Sequence, residues 1–330
     1  MTQSMRLGDE KQLMLFSGRA NPALTQAIAA DIGVDVGPVT LKTFSNGEVY
    51  CRFDESVRGA DVFIVQPMCG NAESGVNAND ALMELLVMVD AAVGASAHRV
   101  VAVTPWYGYS RQDKKSAARE PISARVVART LEAVGVDRVL TMDLHAGQLQ
   151  GFFGKPVDHM TALMMLADHF SGLDDDLVVV APDAGRVKLN KQFATRLGAG
   201  LAILDKERPV QQVAEITHVI GDVSGKTAII VDDMIDTAGT LRAAGEAVVN
   251  AGARRVFAAA THPVFSGRAF ENLAAAPFEK IVVTDTIPLS AGAPTNVEVV
   301  SCAPLLADSI RRIFTNDSVS AVFGGQNHIF

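Results

Sequence analysis

The residues best suited to chemistry lie between positions 231 and 240, where two adjacent carboxylates precede small and hydroxyl-bearing residues. Asp232 and Asp233 can accept hydrogen bonds from vicinal hydroxyls or hold a hydrated cation. The segment from Asp236 to Thr240 contains residue types that begin helices. The free amides and the dipole of a helix N-terminus attract phosphate. Carboxylates beside an anion site suit a ribose phosphate.

A simpler interpretation treats each of these residues as structural. Asp236, Thr237 and Thr240 are good N-cap types, and an acidic pair also fits a solvated turn. The combination favours a ligand site, because a cap alone requires neither the acidic pair nor the small residues Ala238 and Gly239.

The elements that must position these residues alternate along the chain. Apolar runs rich in β-branched residues alternate with stretches of helical spacing, which predicts an α/β fold with a mostly parallel sheet flanked by helices. The predicted strands cover residues 12–16, 61–65, 100–104, 138–142, 177–181, 228–231, 256–261 and 281–284, and the predicted helices include 81–93, 123–134, 187–197 and 241–249.

The two halves of the chain also resemble each other. A strand, a helix, a Gly-Ala pair and a second strand occur in this order in residues 61–105 and again in residues 227–261. A similar echo relates residues 15–33 to residues 182–198, each with a Gly-Arg pair before a helix that ends near a glycine. We therefore predict two copies of one α/β domain, with Gln66 standing where the second copy has Asp232.

The first half offers polar loops of a different kind. Residues 44–48 supply an aromatic ring, an amide and a carboxylate around a glycine, which could grip a purine, although a surface hairpin turn explains them about as well. Residues 106–121 are basic and aromatic and follow a strand end. A loop that binds polyphosphate explains this segment better than a solvated charge run does.

Two further pairs of polar residues have a spacing of two. Asp143 and His145 follow a strand end and would lie on one side of an extended chain. Together with Asp183, in the repeat-related loop, they could share a Mg²⁺ ion. Lys206 and Arg208 would likewise share a face of an extended segment, and an exposed, charged hairpin tip is the open alternative.

Composition limits the classes of protein that remain. A chain of 330 residues with 48% hydrophobic residues is long enough for two ordinary domains with real cores. A net charge of −8 argues against a general nucleic-acid binder. No apolar run approaches a membrane span, and the polar N-terminus is unlike a signal peptide, so we expect a cytoplasmic protein. Three scattered cysteines predict ordinary thiols rather than a disulfide framework.

Seven motifs in this sequence resemble those of the ribose-phosphate diphosphokinase family, whose members are also called phosphoribosyl-diphosphate synthetases. They occur in the family's order at residues 44–48, 110–115, 142–145, 148–153, 182–185, 205–209 and 231–240. The resemblance implies transfer of the diphosphoryl group of ATP to the 1-hydroxyl of ribose 5-phosphate, which gives phosphoribosyl diphosphate and AMP for nucleotide, histidine, tryptophan and NAD biosynthesis.

The resemblance also implies a domain organisation. We expect two tandem phosphoribosyltransferase-type domains, an ATP-side domain in residues 1–157 and a ribose-5-phosphate-binding domain in residues 158–305. Residues 306–323 would pack back on the first domain, and residues 324–330 would form a tail. Further implications are assembly into a homohexamer, activation by phosphate and inhibition by ADP.

Residue roles follow from the same resemblance. Lys206 and Arg208 would form a mobile catalytic pair, and His145 and Asp183 would bind Mg²⁺. The residues expected to bind ATP are Phe44, Asn46, Gly47, Glu48, Arg111, Gln112, Asp113 and His145. Those expected to bind ribose 5-phosphate are Arg208, Asp232, Asp233, Asp236, Thr237, Ala238, Gly239 and Thr240.

The sequence departs from the family pattern in two relevant places. Residues 70–78 form a longer segment than family members usually have, and Arg186 stands where a second glycine is frequent. We expect neither departure to touch the chemistry directly.

Overall fold

The computed structural model describes residues 5–7, 11–173, 176–210 and 213–323, and it describes only the backbone of residues 5–7, 206–210, 213–217 and 323. The chain divides into two compact units. The first unit comprises residues 1–160, 286–288 and 301–330, and the second comprises residues 161–285 and 289–300. The tail predicted for residues 324–330 lies outside the described residues.

The first unit is built on a six-stranded sheet with the strand order β1-β2-β5-β6-β7-β8. All neighbouring strands are parallel except β1, which pairs antiparallel with β2. A separate two-stranded hairpin consists of β3 and β4. The elements are β1 (Met5–Leu7), β2 (Lys11–Ser17), α1 (Pro22–Ile32), β3 (Val39–Thr43), β4 (Val49–Phe53), β5 (Asp61–Val65), α2 (Ala78–Gly94), β6 (Arg99–Thr104), α3 (Ser123–Ala133), β7 (Arg138–Met142) and β8 (Val157–Met160).

The second unit has a seven-stranded sheet with the order β11-β10-β9-β12-β13-β14-β15, in which only β11 is antiparallel to its neighbour. The elements are α4 (Leu163–His169), β9 (Leu177–Ala181), α5 (Val187–Leu197), β10 (Gly200–Val210), β11 (Val213–Ile220), β12 (Thr227–Ile235), α6 (Gly239–Asn250), β13 (Arg255–Pro263), α7 (Ala269–Ala275), β14 (Ile281–Thr284) and β15 (Val297–Val300). The predicted α/β fold class is thus confirmed in both units.

The two sheets share a series of five parallel strands, as the repeat in the sequence predicted. The parallel series β2-β5-β6-β7-β8 of the first unit corresponds to the series β9-β12-β13-β14-β15 of the second. Helices α1 and α5, which follow the first strand of each series, both end at a glycine in the left-handed conformation, Gly33 with φ 82° and Gly198 with φ 65°. Glycine adopts this conformation without the steric cost of a Cβ.

The core of each unit follows directly from the composition of its strands. β5 reads Asp-Val-Phe-Ile-Val and β9 reads Leu-Val-Val-Val-Ala, and every residue of both is buried. Apart from Asp61, these residues are all apolar, as is typical of parallel strands covered by helices on both faces. In the described chain, no helix is long and apolar enough to cross a membrane. Cys69 and Cys302 are buried and Cys51 is half-buried, all as free thiols, and burial raises the pKa of Cys69 to about 12.

A last helix, α8 (Ala303–Thr315), belongs to the first unit although it follows the second in sequence. It packs against α1, and Arg311 donates a hydrogen bond to the carbonyl of Asp31. Its buried face includes Leu306, Ile310 and Phe314. The first unit is therefore discontinuous in sequence.

Asp61, the first residue of β5, connects α8 to the sheet. Its carboxylate is fully buried and pairs with Arg99 at 2.5 Å, with His98 Nδ1 at 2.7 Å and with Lys11 Nζ at 3.4 Å. Arg99 also donates to the carbonyl of Ile313 at 2.9 Å. One buried carboxylate thus organises basic side chains that reach the end of α8.

Candidate active site

In the second unit, the acidic pair lies within a strand rather than after it. β12 continues to Ile235 because β13 remains paired with it as far as Pro263. The predicted strand end at residue 231 was therefore too early. Asp233 is almost fully buried, with 5% of its side chain exposed, whereas 30% of the Asp232 side chain remains accessible. Asp232 also accepts a hydrogen bond from the amide of Asp233 at 2.8 Å.

Arg186 bridges the two carboxylates. Its guanidinium lies 2.6 Å from the Asp233 carboxylate and 3.4 Å from that of Asp232. It ends the short 3₁₀ turn Ala184–Arg186, which joins β9 to α5. This departure from the family pattern places a cation against both carboxylates, because the carboxyl ends of adjacent parallel strands meet at one edge of a sheet. The expectation that it does not touch the chemistry directly stays a prediction.

The charged groups in this cluster shift one another's pKa values. Desolvation raises the pKa of Asp232 well above its ordinary value, and the charge of Asp233 raises it further, although Arg186 opposes both effects. Burial alone would lower the pKa of Arg186, but the carboxylates of Asp233, Asp232 and Asp183 outweigh it and raise that pKa above its ordinary value. Arg186 therefore remains a cation that both carboxylates share.

The loop from residue 236 to 240 leads into α6 without a side-chain cap from its N-cap residue. The N-cap is Ala238, in the left-handed conformation with φ 60°, rather than one of the predicted types Asp236, Thr237 or Thr240. Asp236 instead accepts a hydrogen bond from the Ser266 hydroxyl. A methyl side chain cannot satisfy the first amides of a helix, so the N-cap residue supplies no acceptor where an anion could bind.

Residues outside the loop fix its path. Asn272 donates to the carbonyl of Thr237 at 2.8 Å. The amide of Ser266 donates to the carbonyl of Asp236 at 3.1 Å, and the amide of Phe265 donates to that of Ile235 at 3.0 Å. The backbone of the loop is therefore held by the segment around the start of α7.

Lys206 and Arg208 lie in the backbone of β10, which forms an antiparallel hairpin with β11. Their side chains lie outside the described residues. Pairing is irregular between Asp205 and Lys206 and again between Glu207 and Val210. A bulge changes the alternation of side chains along a strand, so the spacing of two does not by itself place this pair on one face.

In the first unit, residues 44–48 form the turn of the β3-β4 hairpin. The amide of Phe44 donates to the carbonyl of Glu48 at 2.8 Å, and Gly47 adopts φ 92°. The Asn46 side chain accepts from the Glu48 amide at 3.2 Å. The Phe44 ring remains 44% exposed. The turn is thus both a surface hairpin and an exposed set of aromatic, amide and carboxylate groups.

The loop after β6 carries the other polar residues expected to contact nucleotide. Gln112 accepts a hydrogen bond from the Ser123 hydroxyl at 2.6 Å, and Asp113 accepts one from the Gln148 amide at 2.7 Å. Arg111 is exposed. The two positions that follow the exposed Arg111 are therefore fixed by side-chain hydrogen bonds.

The segment after β7 does not remain extended. Asp143 has φ 36°, so the expected alternation of Asp143 and His145 on one side is broken. His145 is half-buried. His159, on β8, accepts a hydrogen bond from the Leu144 amide at 2.8 Å. His159 thus holds the turn that carries His145, a role that its sequence position alone does not reveal.

Comparison with known proteins agrees with both units. The family model described as the N-terminal domain of ribose phosphate pyrophosphokinase matches residues 13–135, and the one described as the phosphoribosyl synthetase-associated domain matches residues 207–324. The ribose-phosphate pyrophosphokinase of Caldanaerobacter subterraneus subsp. tengcongensis is 49% identical over 314 residues, which are 94% of this chain and 98% of that protein. The chain belongs to the ribose-phosphate pyrophosphokinase family.

Other family members show the same agreement over nearly the whole chain. The ribose-phosphate pyrophosphokinase of Chlorobaculum tepidum is 45% identical over 320 residues, covering 96% of this chain and 97% of that protein. The crystal structure of phosphoribosylpyrophosphate synthetase from Mycobacterium smegmatis is 44% identical and aligns with a TM-score of 0.83, covering 92% of this chain and 99% of that one. As a member of the ribose-phosphate pyrophosphokinase family, the chain is an enzyme.

The two residues expected to bind Mg²⁺, Asp183 and His145, differ in how well their chemistry suits that ion. Within the described ranges, no three His, Cys, Asp or Glu side chains are gathered so as to hold a metal by themselves. Mg²⁺ usually keeps several waters and binds one or two carboxylates together with substrate phosphates. The Asp183 carboxylate, whose negative charge helps to raise the pKa of Arg186, is a ligand of the kind that such magnesium binding requires. An imidazole such as that of His145 is a less typical ligand for so hard a cation.

Replacing Arg186 by methionine is expected to destabilise the second unit. The change keeps the apolar stem but leaves Asp232 and Asp233 side by side without a shared cation. We expect a loss of about 2 kcal/mol in the free energy of unfolding, below the range for a fully buried pair because Asp232 is 30% exposed. Arg268→Met, which removes the exposed pair with Glu271, is the matched control and should change less than about 1 kcal/mol. Equal losses in calorimetry of the two variants would contradict this role.

Proposed function

We propose that this protein transfers the β,γ-diphosphoryl group of ATP to the 1-hydroxyl of ribose 5-phosphate. The hydroxyl oxygen forms a bond to the β-phosphorus, the bond from that phosphorus to the α,β-bridging oxygen breaks, and the hydroxyl proton is released. The products are 5-phospho-α-D-ribose 1-diphosphate and AMP. Membership of the ribose-phosphate pyrophosphokinase family supports this reaction.

The observation that carries the proposal is the acidic strand end of β12 followed by the start of α6. The Asp232 carboxylate, the more exposed of the pair, accepts hydrogen bonds from the ribose hydroxyls. The amides of residues 237–240 bind the 5-phosphate, because the N-cap residue Ala238 leaves them unsatisfied by its side chain. Asp233 and Arg186 hold the Asp232 carboxylate in place.

The first unit supplies the nucleotide site in this proposal. Phe44 stacks on the adenine, and residues 46–48 present polar groups to its edge, since the turn is exposed and its backbone is fixed. Arg111 binds the polyphosphate, and Gln112 and Asp113 hold the loop immediately after it. Family resemblance supports His145 as a further ATP contact.

Lys206 and Arg208 act as the catalytic cations. Phosphoryl transfer depends on in-line positioning and on positive charge at the oxygens where negative charge accumulates. A hairpin arm can bring two cations to the transferred group and exclude water as it closes. Family resemblance supports His145 and Asp183 each as a ligand of Mg²⁺, which neutralises charge on the phosphate oxygens when bound.

A labelling experiment tests the reaction. The protein is incubated with Mg²⁺, ribose 5-phosphate and ATP labelled in the β phosphate. The proposal expects the label in a sugar diphosphate together with stoichiometric AMP. Release of ADP would indicate an ordinary kinase, and no turnover would indicate a catalytically silent relative. Loss of all label transfer on chelation of Mg²⁺ is also expected.

Replacing Asp232 by asparagine is expected to raise the KM for ribose 5-phosphate about tenfold, because the carboxyl group has two oxygens that can accept from the ribose hydroxyls and the amide has only one. The KM for ATP should remain within twofold of the wild-type value. Steady-state kinetics with each substrate varied in turn measures both. Asp222→Asn, at an exposed carboxylate of the same unit, should change neither constant, and a rise in the KM for ATP alone would argue against the assignment.

The setting of the reaction also follows family resemblance. We propose a cytoplasmic enzyme that supplies phosphoribosyl diphosphate for nucleotide, histidine, tryptophan and NAD biosynthesis. We further propose a homohexamer that phosphate activates and ADP inhibits. Light scattering of the purified protein, and activity measured with added phosphate or ADP, test these points.

A further inference from the structure

In the second unit, the sugar phosphate is proposed to bind where β12 leads into α6. In the first unit, the protein's own side chains fill the corresponding position. β5 corresponds to β12, and Gln66 follows β5 as a fully buried residue. Its amide oxygen accepts from the amide of Ala20 at 3.1 Å. A Cβ on Gly18 would lie 2.2 Å from that same oxygen. The side chain therefore occupies the space directly beside the loop that follows β2.

The helix that follows β5 is also closed to anions. α2 begins with a capping box in which the Asn77 side chain accepts from the amides of Asn79 and Asp80, while the Asp80 carboxylate accepts from the Asn77 amide. In α6, the corresponding helix, the N-cap residue is Ala238. A helix start that is satisfied and carries a carboxylate repels phosphate. The first unit thus has the strand, loop and helix of the proposed sugar-phosphate site, but the start of its helix is unsuited to phosphate.

A buried ion pair completes this filling. Glu84, on α2, is fully buried, and its carboxylate accepts from the Arg19 amide at 2.6 Å, from Arg19 Nε at 2.5 Å and from the Gln66 amide at 2.9 Å. Arg19 occupies in the first unit the sequence position that Arg186 occupies in the second. Both arginines pair with carboxylates, but the partner in the first unit lies on a helix.

The long segment at residues 70–78 also contacts Arg19. The Asn71 side chain donates to the carbonyls of Arg19 and Ala20 at 3.2 and 3.1 Å, and the Ser74 hydroxyl donates to the Arg19 carbonyl at 3.0 Å. The backbone of Arg19 is therefore held from both sides, by this segment and by Glu84. The Arg19 side chain therefore starts from a fixed point of the backbone.

The Arg19 guanidinium extends from this fixed backbone to the β3-β4 hairpin. Arg19 Nη2 donates to the Thr43 hydroxyl at 2.9 Å, and Thr43 is the last residue of β3, next to Phe44. The base of the hairpin is packed against the core through Leu41, Cys51 and Phe53, whereas residues 42–48 are exposed. An isolated two-stranded hairpin is marginally stable, so a tether near its tip has a large effect on the tip's position.

We propose that Arg19 is a positioning residue for ATP binding, which fixes the tip of the β3-β4 hairpin through Thr43. The proposal rests on the proposed function, in which residues 44–48 bind the nucleotide. The side chains that fill this position also serve the nucleotide site, since Gln66 donates to Glu84 and Glu84 holds the cation that orients the turn. The ion pair with Glu84 would be complete without the bond to Thr43.

Thr43→Val tests the proposal at the exposed end of the network, where folding is not at risk. The change removes the acceptor but keeps the shape of the side chain. We expect the KM for ATP to rise about five- to tenfold, with kcat and the KM for ribose 5-phosphate within twofold of wild type. Thr43→Ser, which keeps the hydroxyl, should restore the KM for ATP.

Thr40→Val is the matched control, because Thr40 lies on the same strand and its hydroxyl donates to Asp54. It should leave all three constants unchanged. An unchanged KM for ATP in Thr43→Val, or an equal rise in Thr40→Val or Thr43→Ser, would overturn the proposal.

Hydrogen exchange separates this inference from the proposed function. In the full-length protein, Thr43→Val should accelerate exchange of the amides at residues 43–49, while Thr40→Val should not. If that acceleration is seen in a protein that transfers no diphosphoryl group, the tether stands and the proposed reaction fails. If exchange is unchanged in an active protein, the tether fails and the reaction stands.

Discussion

Lys206→Ala is expected to lower kcat by about a thousandfold or more, the typical loss when a cation that stabilises the transferred phosphoryl group is removed. The KM values for both substrates should change far less, because the charge acts mainly where negative charge accumulates in the transition state. The position lies in an arm of the β10-β11 hairpin, outside the parallel core of the second unit, so the fold should be retained.

The measurement is steady-state kinetics of AMP release, with circular dichroism and light scattering to confirm folding and assembly. Lys191→Ala, at an exposed position on α5, is the matched control and should behave as wild type. Arg208→Ala should cause a loss of similar size. If the two cations act as a unit, the double variant should be little worse than either single variant. A kcat for Lys206→Ala within tenfold of wild type would remove Lys206 from the mechanism.

Asp61→Asn is expected to lower the free energy of unfolding of the first unit by about 3–5 kcal/mol, the usual cost of breaking a buried ion pair from one side. Asparagine keeps the shape of the side chain but leaves Arg99 and Lys11 without their counter-charge, and each of these side chains is only about one-fifth exposed, at 19% and 20%.

Trp106 makes this prediction measurable. It is the single tryptophan of the chain and lies in the first unit, so its fluorescence in urea reports the unfolding of that unit. Asp308→Asn, which removes the more exposed pair with Arg312 on α8, is the control and should cost less than about 1 kcal/mol. A loss for Asp61→Asn no larger than that of the control would show that the buried carboxylate is not central to stability.

Much of the fold could be predicted from the sequence, because parallel strands buried on both faces are continuous apolar runs. The strands at residues 61–65, 138–142, 177–181 and 281–284 and the helix at 187–197 were predicted with the bounds that the structure has. The predicted repeat is visible as a shared strand order.

The strands that sequence patterns missed or ended too early are those whose pairing is decided elsewhere in the chain. β3 and β4 are half-exposed strands with mixed composition, and β10 continues through charged residues because β11 pairs with it. β12 continues through Asp232 and Asp233 because β13 accompanies it. Hydrophobic patterns register burial, whereas hydrogen bonding between strands does not require it.

The candidate site shows the same limit at the level of side chains. The acidic pair and the loop after it could be found from residue types, since they are contiguous in sequence. The part played by Arg186 could not, because it depends on β9 and β12 being neighbours in the sheet. The same holds for Arg19, whose side-chain partners Thr43 and Glu84 lie on β3 and α2.

Because the first unit is discontinuous in sequence, it is completed last when the protein is synthesised. Residues 303–316 supply the helix that covers α1 and the carbonyl that Arg99 binds, yet they leave the ribosome after the whole of the second unit. The second unit can close its core cotranslationally, whereas the N-terminal part of the first unit keeps apolar surface exposed until α8 has been made. Chaperone dependence during translation should accordingly be concentrated in the part of the protein that is made first.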